Sequence, residues 1–452
     1  MRYNSRYVSG CVVLLSVLSA ATTFAEGDFQ KGIEAFKQED YETALAEWRP
    51  LAEDGDLNAM YNVGLIYDEG LGVSIDKERA LEWYLPPAEE GDVAAQFSVA
   101  NIYDFGRGVP EDNEKAVYWY TAAAQQADEQ AQFNLGVMYF SGEGVDVDYD
   151  QAIDWYRLSA DQGHAPAQYN LAYIYDSGEF VPEDNHEALL WYMRAAEQHD
   201  PDAQYAIALM YDEGDGVIED NLVAAEWYEL AAHQGDVRAQ FNLAIMHDVG
   251  EGLPEDNALA IEWYTAAAEQ GHENAQLNLG LMHENGEGTE ADSLQAMHWY
   301  RKAADQGSTE AQYAIALMFD EGIGVPEDNS EAIAWYTLAA EQGDSQAQNN
   351  LGAMFDAGEG VAENNAEAVK WYALSANQGN PIALNNLGTM YYAGEGVTED
   401  KAEAYKWFFI AKQLGNDDAG DNCELVARSL SKSQVNRSRK QARKWLKEYE
   451  DV

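Results

Sequence analysis

Residues 131–163 read "AQFNLGVMYFSGEGVDVDYDQAIDWYRLSADQG". Much the same words return at 252–288 ("GLPEDNALAIEWYTAAAEQGHENAQLNLGLMHENGEG") and at 324–360 ("GVPEDNSEAIAWYTLAAEQGDSQAQNNLGAMFDAGEG"). A segment that recurs at a fixed period is an architectural unit, and the period sets the fold before any single residue does.

The period is 36 residues: Trp83, Trp119, Trp155, Trp191, Trp227, Trp263, Trp299, Trp335, Trp371 and Trp407 are evenly spaced, and only Trp48 and Trp445 stand outside the register. Alanine columns run from Ala59 to Ala383 and from Ala80 to Ala404, and a glycine column from Gly70 to Gly394, with no slip in register. Each unit reads as two helices. In helix A, Ala131, Leu135, Met138, Tyr139 and Gly142 fall at i, i+4, i+7, i+8 and i+11, one helical face. Asp128 is placed to cap its start, and a Gly-x-Gly-Val loop ends it. Helix B opens on a second cap column, Asp76 through Asp400 with Asn364 among them, followed by Ala116, Trp119, Tyr120, Ala123 and Ala124 at helical spacing. Glycines such as Gly91, Gly163 and Gly235 suit the left-handed position after helix B. Ala127 and His199 interrupt that column, which predicts local strain or a different turn; Pro86 and Pro87 fall inside the first helix B, which predicts a kink or a shortened helix.

The pattern Ala-x-x-x-Leu-Gly-x-x-Tyr-x-x-Gly-x-Gly-Val-x-x-Asp-x-x-x-Ala-x-x-Trp-Tyr-x-x-Ala-Ala-x-x-Gly resembles the Sel1-like repeat, a relative of the tetratricopeptide repeat. Residues 131–163 carry it through Ala131, Leu135, Gly136, Tyr139, Gly142, Gly144, Val145, Asp148, Ala152, Trp155, Tyr156, Ala160 and Gly163, with Ser159 in place of one paired alanine. The resemblance covers about residues 40–415. It implies an all-α fold, a right-handed α/α superhelical solenoid of about ten 36-residue helix-turn-helix repeats, with helix A on the concave side. It also implies an interaction scaffold. Where the family often has lysine beside the helix-B alanine and after Trp-Tyr, this chain has residues such as Gln151, Glu187 and Val223, and Ala122, Leu158, Leu230 and Leu338. Some members are stapled by disulfides, a property that does not transfer here.

The organisation expected is a leader at 1–25, a tetratricopeptide-like capping hairpin at 26–55, ten repeats over 56–415, and capping helices with a basic tail at 416–452. In the leader, Arg2 and Arg6 precede the apolar run "CVVLLSVLSAA" and a small-residue cleavage pattern ending at Ala25, the signature of a secretory signal peptide. That predicts export to the periplasm or the cell exterior. Cys11 would leave with the leader, so Cys423 would remain as a single packed thiol. No stretch after the leader approaches the roughly 18 apolar residues of a membrane span.

The chain has 452 residues and a net charge of −55. Loss of Arg2 and Arg6 takes this to −57, and residues 424–452 hold eight Lys/Arg against four Asp/Glu, so the body from 26 to 423 carries −61. Nucleic acids are bound through clustered Lys and Arg, so they are excluded as partners. The acid is spread over every unit, which favours adaptation to saline surroundings over attraction of a basic partner. The basic residues Arg437, Arg439, Lys440, Arg443, Lys444 and Lys447 oppose it, as a solvated cap or as a dock for an acidic neighbour.

The catalytic and metal patterns are weak. The Gly-x-Gly loops follow helices and sit among carboxylates, unlike phosphate loops. "VDVDYDQ" places Asp146, Asp148 and Asp150 at calcium-loop spacing but puts Gln151 and Arg157 where Gly and Glu are required. Ser429 and Lys432 match Ser-x-x-Lys without its partner motifs. No cofactor or metal is expected.

One stripe stands out as a candidate partner site. Tyr61, Phe97, Phe133, Tyr169, Tyr205, Phe241, Leu277 and Tyr313 share a column of helix A, beside Asn62, Asn134, Asn170, Asn242, Asn278, Asn350 and Asn386. The column reads either as packing between repeats or as a groove of aromatic anchors and amide donors. The functional expectation is an exported, non-enzymatic scaffold binding another protein on the concave face. A glycan-binding envelope protein is the alternative, and a repeat-protein hydrolase a distant third.

Overall fold

A computed structural model describes residues 27–450; the leader at 1–25 lies outside the described residues. It shows 24 α-helices and no strand among them. After a hairpin of Phe29–Lys37 and Tyr41–Glu53, helices A and B alternate from Leu57–Glu69 and Lys77–Glu89 to Pro381–Ala393 and Lys401–Gln413. Within each compact unit, helices A and B pack in sequence on one another, the arrangement of an α/α solenoid. Helices Asp418–Ala427 and Lys432–Glu450 close the chain, both against Lys401–Gln413. The chain forms two compact units, one ending at Gln234 and the other beginning at Gly235.

The caps form as the columns dictate. Asp128 accepts from the Ala131 amide at 2.7 Å, and Asp148 from Gln151 at 3.0 Å. His164 and His272 fill the same role with Nδ1, accepting from Ala167 at 3.3 Å and Ala275 at 3.2 Å. Ser308 alone in the helix-A column makes no side-chain cap bond. The two alanine columns are buried throughout and let helices A and B approach.

Two local expectations need correction. The helix that holds Pro86 and Pro87 is not shortened: it runs Lys77–Glu89, thirteen residues like its counterparts. Both prolines sit in its last turns, where their own carbonyls are still used, by Glu90 and Asp92 respectively. At Ala127 and His199 the turn is not a different one. Both adopt the left-handed conformation of the glycines they replace, with φ of 65° and 64°. The expected strain stands, because a Cβ in that region costs roughly 1–2 kcal/mol.

The second glycine of each Gly-x-Gly loop has a further constraint. A Cβ on Gly144 would lie 2.3 Å from the Asn113 carbonyl oxygen, and one on Gly396 2.2 Å from that of Asn365. Where the second glycine is present, the loop rests on the start of the preceding helix B, and glycine is needed for that approach as well as for its positive φ.

Candidate functional site

The aromatic column of helix A is turned toward helix B of its own repeat. In the first unit, Tyr61, Phe97, Phe133, Tyr169 and Tyr205 pack on Tyr84, Tyr120, Tyr156, Tyr192 and Tyr228 at centroid distances of 5.4 to 5.9 Å. Tyr61, Phe133 and Tyr169 are buried there, while Phe97 and Tyr205 are half-buried. In the second unit, Phe241 and Tyr313 meet Tyr264 and Tyr336 in the same way, each at 5.9 Å, and both are half-buried. Phe241 also stacks on the capping ring of His272 at 4.3 Å, and Phe133 lies 4.7 Å from His164.

Each helix-B tyrosine except Tyr156 in turn finds a carboxylate sixteen residues back. Tyr192 donates to Asp176 at 3.1 Å, Tyr228 to Asp212 at 3.0 Å, Tyr336 to Asp320 at 3.0 Å, and Tyr300 to Glu284 at 2.5 Å. Several of the column asparagines complete the arrangement from the next repeat. Asn278 donates to the Tyr264 phenol at 3.1 Å and Asn350 to Tyr336 at 3.0 Å; Asn170 is hydrogen-bonded to Tyr156. Asn242 is half-buried. Asn134 differs: it is fully buried and its side-chain amide has no hydrogen-bond partner, while the Tyr120 phenol donates to Asn101 Oδ1 at 2.8 Å and lies 3.1 Å from Asp104 Oδ2.

Burial holds the tyrosines above their ordinary range and raises the Asp176 and Asp248 carboxyls, whose neighbours Asp215, Glu183, Glu287 and Glu255 add repulsion. The arrangement holds partly buried carboxyl groups in hydrogen bonds with phenols. It does not aim a base at a nucleophile.

A second lattice runs through both units. Gln162 donates to Gln132 and Gln198 to Gln168 in the first, Gln342 to Gln312 and Gln378 to Gln348 in the second, at 2.8 to 2.9 Å. The acceptor glutamines are buried and pass the connection on: Gln168 donates to the Ala160 carbonyl and Gln348 to that of Ala340, both at 3.0 Å. Each such chain ties the end of one helix B to the start of the next helix A and to the end of its helix B. Both glutamine columns stand at 36-residue spacing, so the period itself was the available signal.

Two adjacent repeats depart from the rest. Phe140 stands where the tyrosine-binding carboxylate should be, Tyr149 where helix B usually starts with Asn, and Phe180 where the loop has its second Gly. The three rings meet at 4.7 to 5.3 Å. The three departures are legible in the sequence as a set of aromatic replacements in otherwise polar or glycine columns.

Some outward residues are apolar on both helices. On helix A of the second unit, Ile245, Leu281 and Leu317 form one column, with Leu281 41% exposed and the others half-buried. On helix B, Leu158, Leu230 and Leu338 are exposed at the place where Arg194 and Lys302 instead cover Trp191 and Trp299 at 4.3 and 4.0 Å.

Among the described residues, no group of three His, Cys, Asp or Glu is placed to hold a metal ion, and no helix is long and apolar enough to cross a membrane. Asp148 of the calcium-like stretch is a helix cap. Ser429 donates to the Val426 carbonyl at 2.8 Å. Burial pushes the Cys423 thiol up to about 11.

A scan against protein families matches the Sel1 repeat ten times, from 57–92 through to 381–416, and the chain belongs to the Sel1-repeat family. Among solved structures it is similar to a protective antigen of uropathogenic Escherichia coli strains displaying the same repeat fold. The two are 32% identical with a TM-score of 0.66, over 90% of this chain and 95% of that one. A Sel1-repeat protein from Oxalobacter formigenes is 35% identical with a TM-score of 0.55, over 68% of this chain and 89% of that one. No curated protein matches the chain. Solenoids of this class generally mediate protein–protein interaction.

Proposed function

We propose that this chain is an exported, non-catalytic scaffold that binds another protein along the helix-A side of its repeats. The observation that carries the reading is the column Ile245, Leu281 and Leu317, apolar side chains left partly open beside the amides of Asn278 and Asn350. Apolar anchors flanked by donors are what a protein partner needs from an otherwise acidic surface. The half-buried rims of Phe241 and Tyr313 extend this line, and in the first unit Phe97 and Tyr205 offer the same edge. Export is supported by the leader pattern of Arg2, Arg6, the apolar run and Ala25. Glycan platforms need open aromatic faces, and in this column the faces lie on helix-B tyrosines.

The test is site-specific photocrosslinking in the native cell envelope at the organism's own salinity. A crosslinker at Leu281 captures a discrete protein, and one at Leu338 on helix B does not. Capture from Leu338 alone, or from neither position, overturns the reading.

A further inference from the structure

The cations of this chain are not spread as its acids are. Residues 428–447 contain eight Lys/Arg and no Asp/Glu, within a chain of net charge −55. Helix Lys432–Glu450 holds seven of the eight and is fixed by its other face. Ser438 donates to the Ala402 carbonyl at 2.7 Å, Arg439 to the Tyr405 phenol at 2.7 Å, and Tyr449 to the Gln378 carbonyl at 3.2 Å; Trp445 lies 6.2 Å from Trp407. Arg437, Lys440, Lys444 and Lys447 fall at i, i+3, i+7 and i+10, one exposed face.

Many cations elsewhere pair with a carboxylate where they stand: Lys77 with Asp68 at 2.7 Å, Lys115 with Asp112 at 2.8 Å, and Lys406 with Glu403. On the last helix, Lys444 pairs with Glu448 of its own next turn, at 3.3 Å. Among the described residues no cation of that helix pairs with a carboxylate of another helix. A rigid face of one sign is thus left without its complement.

We propose that this face docks on the acidic surface of a second copy of the chain. The chain itself carries the complement: every repeat presents exposed carboxylates, Glu287, Glu290 and Asp292 among them, and the body from 26 to 423 carries −61. The contact joins unlike surfaces, so it is heterologous and does not close at two copies by itself. It also has an unusual salt signature. At ~10 mM salt the Debye length is about 30 Å, and whole-body repulsion between copies dominates. At ~0.1 M it shrinks to about 10 Å, and only the facing surfaces are felt, basic against acidic. At ~1 M, with a length of about 3 Å, that attraction is screened too. Association passes through a maximum, unlike apolar association, which salt strengthens, or lipid binding, which salt weakens throughout.

The experiment is sedimentation of the chain as purified from the cells that make it, at these three salt concentrations. It is paired with the triple variant Arg437→Glu/Lys440→Glu/Lys447→Glu, which spares Ser438, Arg439 and Trp445 and is checked for helicity. The expected result is association at ~0.1 M that weakens at both extremes and falls about tenfold or more in the variant. A tagged variant retains the wild-type chain but not itself, because its acidic body is intact. A monomer at all three salts, association untouched by the variant, or association that grows up to ~1 M overturns the proposal. So does a monomer that binds vesicles of phosphatidylglycerol and phosphatidylcholine through this face, which would assign it to a lipid surface.

Discussion

The Tyr336 phenol donates to Asp320 Oδ2 at 3.0 Å, joining helix B to helix A of one repeat, and accepts from Asn350 of the next repeat at the same distance. Three helices are thus held by one oxygen atom. Tyr336→Phe keeps the ring against Tyr313 but leaves Asp320 and Asn350 without that partner. The expected cost is about 1–3 kcal/mol, read as faster amide exchange in Thr309–Glu321 and Asn329–Glu341. A change that stays within ~0.5 kcal/mol would show the bond to be dispensable.

Ala127 occupies a left-handed turn at φ 65° that nine of its counterparts entrust to a glycine at φ between 82° and 109°. Ala127→Gly relieves the Cβ strain, and the expected gain is about 1 kcal/mol, seen as a higher thermal midpoint. Gly396→Ala is the opposite case, since its new Cβ would meet the Asn365 carbonyl at 2.2 Å. Its midpoint should fall, and a neutral result would mean that the loop moves freely off the preceding helix.

The cap made by His164 requires a neutral ring, because Nδ1 accepts the Ala167 amide, and burial lowers its pKa to about 4. The folded value lies below the unfolded one, so the contribution is complete above pH ~6.5 and is lost as pH falls toward ~4. The loss is on the order of 3 kcal/mol. His164→Asn retains a capping oxygen and does not titrate, so midpoints measured from pH 7.5 down to 4.5 should fall less steeply in the variant. Parallel curves would sink this account.

Asp176 has the reverse sign. Burial first, then Asp215, Glu183 and Glu213, raise its pKa, so the folded state is penalised above that pKa and gains stability as pH falls through it. Asp176→Asn keeps an acceptor for the Tyr192 phenol without the charge. It is expected to raise the midpoint at pH 7 and to make it less sensitive to pH between 7 and 5.

Salt acts on the same repulsion across the whole chain. With a net charge of −55, the thermal midpoint should rise between ~0.05 and ~1 M sodium chloride. A flat response would mean that the acids are already compensated.

The sequence by itself determined the repeats, the helices and their ends. Asp128, Asp148 and Gly142 specify caps through their own local chemistry, and the Trp and Ala columns fix the period, so none of these needs a distant partner to be recognised. Only the tertiary structure decided which way the aromatic column turns. Phe133 and Ile245 are both apolar residues on helix A, yet one is fully buried and the other half-buried, because the difference lies in what the adjacent helix B and the next repeat place against them. The glutamine lattice was decided there too. A column of Gln132, Gln168 and Gln348 reads as surface until Gln162, Gln198 and Gln378 arrive from thirty residues away to satisfy it. Local bonds are encoded where they form, whereas burial is a property of neighbours that only folding brings together.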